Sequence, residues 1–455
     1  MSFPTDRPPR VLMFAPAFAP DFFSEALVNS KLALAMLDAG WEVVVFSAPG
    51  GDNVYARGWS EPWSQLREIS WNLPPTPRGV FVRLAAAICA RHPISGSLWA
   101  ERTARTAAAL HAEKPFDLVL SRSTSCVAHL PALLFRARRR KESAPIWIAN
   151  WNDPPGHRFP PPYDFPSPPL QRRLMDRYLR AAATAADANT FPSELLRDYL
   201  AEPLGLDAEG VPPLRRGVVI PHVGLGWRPR AAPLADLSRF RVSHAGNLSR
   251  ERDPTMFFAA FAKFAERHPE VRCEIEIVGQ LDPAAEAAAA KLGLHERIRL
   301  VGGLPYMACL ERLAAADLLL LLEAPCARGV FLPSKLIDYI EVGRPILAVS
   351  PRIGVVRELI EHHNFGLAAA NDSAADIEAA LERGFEERSQ PNLCRARQRA
   401  IEWMRDLVRP DRIVADIRRV AELAGSPTSC CADEASDLTK PWRFSERPTP
   451  MGGPG

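Results

Sequence analysis

The sequence predicts an α/β protein made of two parallel-sheet domains in tandem, followed by C-terminal helices. Three observations carry that prediction. Short apolar runs alternate with helix-period segments through most of the 455 residues, the pattern of parallel strands covered by helices. The series restarts near Phe240 after a proline-bearing stretch, as a second domain would. The length also exceeds what one core supports, which is about 250–300 residues.

In the first half, strands are expected at Val11 to Phe14, Val43 to Phe46, Leu118 to Leu120, Ile146 to Ala149 and Val218 to Ile220. The helix between the first two begins near Ser24 and Glu25, carries Leu32, Met36 and Leu37 on one side, and stops at Gly40. Residues 52–110 fit the alternation less well, with four tryptophans among prolines and a helical stretch near Leu84 to Ala90. Residues 154–169, PPGHRFPPPYDFPSPP, are too proline-rich for regular structure and read as a loop. The second series has strands at Arg241 to His244, Glu274 to Val278, Ile298 to Val301, Leu318 to Leu322 and Ile346 to Val349. Helical patterns resume after Asn392 and are interrupted at Pro410. The expected division is a first domain over 1–225, a linker over 226–239 and a second domain over 240–395. Helices follow over 396–425, free to cross back to the first domain, then a disordered tail over 426–455 rich in Ser, Pro, Thr and Gly.

Composition narrows the class. Apolar content of 47% and charged content of 24% are those of a soluble globular protein. A net charge of +3 gives no ground for a nucleic-acid partner, although residues 1–225 carry 25 Lys and Arg against 21 Asp and Glu. Eight scattered cysteines show neither metal-ligand spacing nor a disulfide framework, which fits a reducing cytoplasm. The N-terminal run VLMFAPAFAP is short and broken by prolines, and no segment reaches the roughly 20 apolar residues of a spanning helix.

The most informative stretch is FLPSKLIDYIEVGRPIL, Phe331 to Leu347. Pro333 and Ser334 read as a helix entry in which Ser334 caps and the next N–H groups, including that of Leu336, stay free for an anion. Lys335 adds a mobile positive charge. Asp338 and Glu341 follow at intervals of three, so the side chains drift slowly around one face before Gly343 ends the helix. An ordinary helix with acidic residues for solubility accounts for the same residues. In open parallel sheets ligands bind at strand-to-helix loops, so function should collect there. The first such loop of the second domain is HAGNLSRERDP, where Gly246 lets backbone approach closely, Asn247 follows it, and Arg250 and Arg252 reach toward a diphosphate. The loop Gly302 to Tyr306 either sets Tyr306 against a base or is simply a tight turn.

Taken together, GNLSRERDP, EIEIVGQ, IRLVGGLPY, AAADLLLLL and PSKLIDYIEVGRPILA, in that order, resemble the donor domain of glycosyltransferase family 4. The similarity covers residues 240–370 and extends more loosely to the first domain through VLMFAPAFAP, the helix ending at Gly40, and VIPHVG. It implies a GT-B-type fold, two Rossmann-like doubly wound domains facing across a cleft. It also implies a hexosyltransferase that moves sugar with retention from a nucleotide-diphosphate donor, UDP- or GDP-linked, to a saccharide or lipid-linked acceptor in polysaccharide or glycolipid biosynthesis. Arg252 and Lys335 would neutralise the diphosphate and Asp338 would bind the ribose hydroxyls, with Gly246, Asn247, Arg250, Ser334, Leu336, Glu341 and Tyr306 completing the donor side.

The family's usual pair of glutamates, with seven residues between them, is here Val330 and Asp338, so the first carboxylate is missing; Glu323 lies nearby. In the first domain Asp153 matches an acidic position that would orient an acceptor hydroxyl, Asn29 and Ser193 match acceptor-side positions, and His222 stands where relatives carry Asn. An Asx turn explains Asp153 as well, and an N-cap explains Ser193. No metal-binding aspartate pair is evident, so no cofactor and no essential metal are expected, and the leaving diphosphate would be stabilised by Arg252, Lys335 and a helix N-terminus. The segments LLFRARRRK and QRRLMDRYLR set basic beside apolar residues. They read either as solvated helix faces or as a peripheral contact at the inner face of the membrane. Two other classes remain: a sugar-nucleotide epimerase of the same plan, and a degenerate non-catalytic nucleotide-sugar binder.

Overall fold

The computed structural model describes residues 3–4, 6–21, 23–48, 59, 61–72, 94, 96–123, 126–138, 144–164, 166–229, 236–248 and 250–426. The helical stretch expected at Leu84 to Ala90, the end of LLFRARRRK, part of the linker and the tail from 427 lie outside them. The chain forms two compact units. Described residues up to 159, 164–223 and 410 onward make the first, while 160–163 and 224–409 make the second.

Apolar strands flanked by helices build one parallel sheet in each unit. The first sheet contains β1 (Arg10–Phe14), β2 (Glu42–Ser47), β3 (Ser70–Asn72), β4 (Leu118–Ser123), β5 (Ile146–Trp151), β6 (Ala188–Phe191) and β7 (Val218–Val219), in the order β3-β2-β1-β4-β5-β6-β7. The second contains β8 (Arg239–Ala245), β9 (Arg272–Val278), β10 (Ile298–Leu300), β11 (Leu318–Leu322), β12 (Ile346–Ser350) and β13 (Gly366–Ala370), in the order β10-β9-β8-β11-β12-β13. Strands such as β11, five leucines, and β12 are buried along their whole length, as strands covered on both faces must be. In both sheets the order reverses beside the first strand, between β1 and β4 and between β8 and β11. Chains leave that point in opposite directions and open a crevice at the carboxyl ends of the strands.

Three strands were not expected from the sequence: β3, β6 and β13. Their residues, SWN, ANTF and GLAAA, lack the β-branched runs that mark a strand, and it is pairing with β2, β5 and β12 that makes them strands.

The core of the second unit packs Phe257, Phe261 and Phe264 of the helix Thr255–Arg267 against Phe240, Ile275 and Leu320 of the sheet. In the helix Ser334–Val342 every residue but Lys335 is buried. It ends at Gly343 with φ +79°, where a Cβ would come 2.2 Å from Arg405 Nη2. Arg405 itself donates to the carbonyls of Ile340 (3.3 Å) and Glu341 (2.7 Å), satisfying acceptors that a helix end leaves open. The helix Pro391–Leu407 carries that arginine and stays with the second unit, whereas Pro410–Gly425 belongs to the first. There it packs on the helix Ser24–Asp38 and on β5 through buried residues such as Ile413 and Ile417.

Candidate functional site

The second unit's reversal point is bounded by the loops after β8 and β11. At the end of β8 the chain turns at Gly246, φ +105°, whose N–H donates to Val278 O at 2.8 Å. A Cβ at Gly279 would meet the Gly246 carbonyl oxygen at 2.2 Å, and a Cβ at Gly246 would meet Lys335 Nζ at 2.6 Å. Two glycines thus bring backbone and ammonium into close approach.

Lys335 is held from the sheet. His244, fully buried in β8, has its Nδ1 2.9 Å from Leu320 O, and since a carbonyl only accepts, Nδ1 carries the proton. Nε2 is therefore an acceptor, and it lies 3.4 Å from Lys335 Nζ. The Tyr339 hydroxyl accepts from the Ala245 N–H at 2.9 Å and donates to the same Leu320 carbonyl at 3.1 Å. Burial, and secondarily the charge of Arg252, push Lys335 down to about 7, while Cys309 and Asp338 oppose the shift. Burial followed by the Lys335 charge holds His244 well below its ordinary range, so its imidazole stays neutral. Arg252 bears on both groups and also on Tyr163, whose ring meets Phe331 edge-on at 5.6 Å. The charge of Arg252 is thus felt at Lys335, at His244 and at Tyr163.

The other donor-side residues divide. Tyr306 is buried and its hydroxyl donates to Asp338 Oδ1 at 2.6 Å, so it is tied to that carboxylate and not free to face a base. Asn247 Oδ1 accepts from the Gln280 N–H at 3.1 Å, bracing the turn. Arg250 begins the short turn Arg250–Arg252, and its side chain is not among the described ones. Ser334 does not cap the helix: the N-cap is Pro333, without a side-chain cap bond. Leu336 is buried and its N–H donates to Pro333 O at 3.0 Å, so that amide is taken up by the first turn. Glu341 bears on Tyr306 together with Asp338, and it also makes a backbone contact. Its Oε1 accepts the N–H groups of Gly226 (2.6 Å) and Trp227 (3.2 Å), clasping the segment that leads into β8. Val330 is fully buried, and Glu323 sits just past β11.

The first unit has its own polar cluster at the corresponding reversal point. Glu25 Oε1 accepts from Asn29 at 3.2 Å and from Asn152 at 2.5 Å, while Arg122, at the end of β4, donates to Asn29 and, at 3.4 Å, to Asn152. Burial lowers Arg122 to about 10, with Glu25 opposing. Asn29 is thus fully buried and engaged within the protein. A cavity of about 20 Å³ adjoins this cluster, lined by Arg122, Asn150, Asn152 and His222 among others, and Asn150 Oδ1 has no hydrogen-bond partner among the described residues. That volume suits a water. Asp153 follows β5 and is half-buried, and Ser193 caps the helix Glu194–Leu204, accepting from the Leu196 N–H at 3.2 Å. Glu25, Arg122 and Asn152 were not singled out from the sequence, although an arginine inside the buried strand LVLSRS is the kind of signal that could have pointed to them.

Two family models match the chain in tandem, the "Glycosyl transferase 4-like domain" over residues 27–217 and "Glycosyl transferases group 1" over 239–387. It belongs to the family 4 type of glycosyltransferases. The transferase has the GT-B fold of two α/β domains. Among solved structures it resembles sucrose-phosphate synthase from Thermosynechococcus elongatus, at 16% identity and TM-score 0.60, over 91% of this chain and 98% of that one. The lipopolysaccharide outer core galactosyltransferase WaaB in its apo form matches at 14% and 0.52, over 90% and 98%. A putative UDP-N-acetylglucosamine 2-epimerase from Listeria monocytogenes matches at 15% and 0.53, over 90% and 95%. The fold is thus shared between transferases and epimerases, and it is the family matches that make this chain a transferase. Among curated proteins no relative matches it. In the described residues no helix of the transferase is long and apolar enough to cross a membrane, and no group of three His, Cys, Asp or Glu side chains is placed to hold a metal.

Proposed function

We propose that this glycosyltransferase moves a hexosyl group, with retention, from a UDP- or GDP-sugar to a saccharide or lipid-linked acceptor. The observation that carries the donor assignment is the close approach of Lys335 Nζ to the backbone at Gly246, within the field of the Arg252 charge, an arrangement suited to a diphosphate. An anion arriving there favours the charged form of Lys335, offsetting the cost of its burial. Developing charge on the leaving diphosphate is met by the same two groups, without a required metal. Asp338, fixed by Tyr306, is assigned to the ribose hydroxyls, and Asp153 to an acceptor hydroxyl.

Peripheral attachment to an anionic membrane is part of this reading. The helix Pro169–Ala185 leaves Leu170 69% exposed beside the exposed arginines 172, 173, 177 and 180, the composition of an interfacial helix. Sedimentation with vesicles containing phosphatidylglycerol, at low and moderate salt, checks it. The donor assignment is tested by a panel of UDP- and GDP-sugars assayed for hydrolysis and transfer, alongside thermal shift with UDP and GDP. Activity with none of the panel, together with no shift by either nucleotide, would remove it.

A further inference from the structure

The group at the donor site that no role above absorbs is Glu323. It follows β11 directly, and its backbone is fixed on both sides: its N–H donates to Val349 O at 3.0 Å and its carbonyl accepts from Asn371 Nδ2 at 3.2 Å. Its side chain is therefore aimed by the sheet and not by a mobile loop. Oε1 lies 3.6 Å from where a Cβ of Gly329 would stand, in a place kept open by the pairing of Gly329 with Gly354. Oε2 is sealed from solvent and has no hydrogen-bond partner among the described residues.

The surroundings decide the state of this carboxyl. The charged and titratable groups facing it are Arg252, Arg357, Tyr163 and Cys326. Arg357 spends Nε on Pro351 O at 2.9 Å and Nη1 on Glu361 at 2.8 Å, while its buried Nη2 has no hydrogen-bond partner among the described residues and makes none with Glu323. No cation among the described residues forms an ion pair with Glu323. A carboxylate left unpaired out of water is costly, so the acid form prevails. Burial pushes Glu323 up to about 8, with Arg252 and Arg357 opposing. A neutral carboxylic acid is an O–H donor, and this one has no acceptor among the described residues to take its proton.

We propose that Glu323, in its protonated form, donates a hydrogen bond to a hydroxyl oxygen of the sugar carried by the nucleotide donor. This rests on the donor site proposed above and deepens it. Arg252 and Lys335 match the double negative charge of a diphosphate, whereas an uncharged acid beside them complements an uncharged hydroxyl. Glu323 would thereby supply a polar contact near position 330, where the buried Val330 has none to offer.

The test compares affinity for a UDP- or GDP-sugar with affinity for the bare nucleoside diphosphate. The same ratio in Glu323→Leu reports the titration of Lys335 and of the terminal phosphate that only the bare diphosphate carries, so the wild-type ratio is read relative to it. In the wild-type protein the ratio is expected to fall about tenfold between pH 6.5 and pH 9.5. Glu323→Gln, which keeps a donor but cannot ionise, should hold roughly a third of the wild-type ratio and show no dependence on pH. Glu323→Leu should lie about tenfold below wild type at pH 6.5 and converge with it at pH 9.5, while still binding the diphosphate, which also reports that it is folded. A wild-type ratio that, relative to Glu323→Leu, is flat or rises with pH overturns the proposal, as does a Glu323→Leu protein that matches wild type at pH 6.5. If the wild-type protein bound neither UDP, GDP nor their sugars, the donor site itself would fall, and this inference with it.

Discussion

His244 Nε2 lies 3.4 Å from Lys335 Nζ, across 91 residues of sequence, and the Leu320 carbonyl on the other side of the imidazole sets which nitrogen can receive that contact. A helix residue at the mouth of the site is thereby aimed by the central strand of the sheet. Lys335→Ala should lower kcat/KM with the sugar nucleotide about 100-fold, the scale of losing one charge-stabilising group. The thermal midpoint should barely move, because a half-buried ammonium without a carboxylate partner contributes little to folding. His244→Leu should cost about tenfold through misplacement of the lysine, with partial rescue by His244→Gln. Steady-state kinetics beside thermal melts separates these effects.

Gly246→Ala places a methyl group where Lys335 Nζ now stands and asks an L-residue to hold φ +105°. Strain of this kind costs about 1–3 kcal/mol. Urea unfolding should show that loss, and the thermal shift produced by UDP or GDP should shrink as well, since the ammonium must move.

Glu341 offers a contrast on the same helix. Its carboxylate holds the N–H groups of Gly226 and Trp227, so Glu341→Ala should destabilise the second unit by about 2 kcal/mol, leaving two donors without their acceptor. Nucleoside diphosphate affinity should remain within about threefold of wild type. A large loss of affinity with intact stability would return Glu341 to the donor site.

In the first unit, burial pushes His129 from 6.5 down to about 3, and its Nδ1 pairs with the Ser121 hydroxyl at 2.8 Å. The unfolded chain takes up a proton that the native state refuses. Stability is therefore full above 6.5 and lost as pH falls through the window from 6.5 to about 3. Between pH 7 and pH 4.5 the expected loss from this residue is about 2–3 kcal/mol. His129→Gln should begin less stable at pH 7 and decline less over that range in urea titrations.

Much of the fold was legible because burial writes itself into composition. The five leucines of β11, and Ile346 to Val349 in β12, can only be strands covered on both faces, and Gly40 and Gly343 mark helix ends through the backbone geometry they permit. GLAAA at β13 carries no such mark, since alanines suit helices equally and the partner strand alone selects the extended form. The candidate site was legible by halves. Lys335 announces itself as a cation in the first turn of a helix, and Arg252 as one in the loop that follows Gly246. Their association with His244 and Glu323 does not, because the partners lie on other strands and periodicity carries no information about which strands become neighbours.

Asp338 and Glu341 make the distinction concrete. Local sequence was enough to put both on one short helix and to end that helix at Gly343, because helical spacing and glycine's freedom depend only on nearby residues. Which carboxylate accepts from the Tyr306 hydroxyl and which clasps the backbone at Gly226 depended on chain distant in sequence, more than 100 residues away for Glu341. Such contacts are selected by the strand order of the sheet, through the burial of whole faces, and no local pattern encodes them.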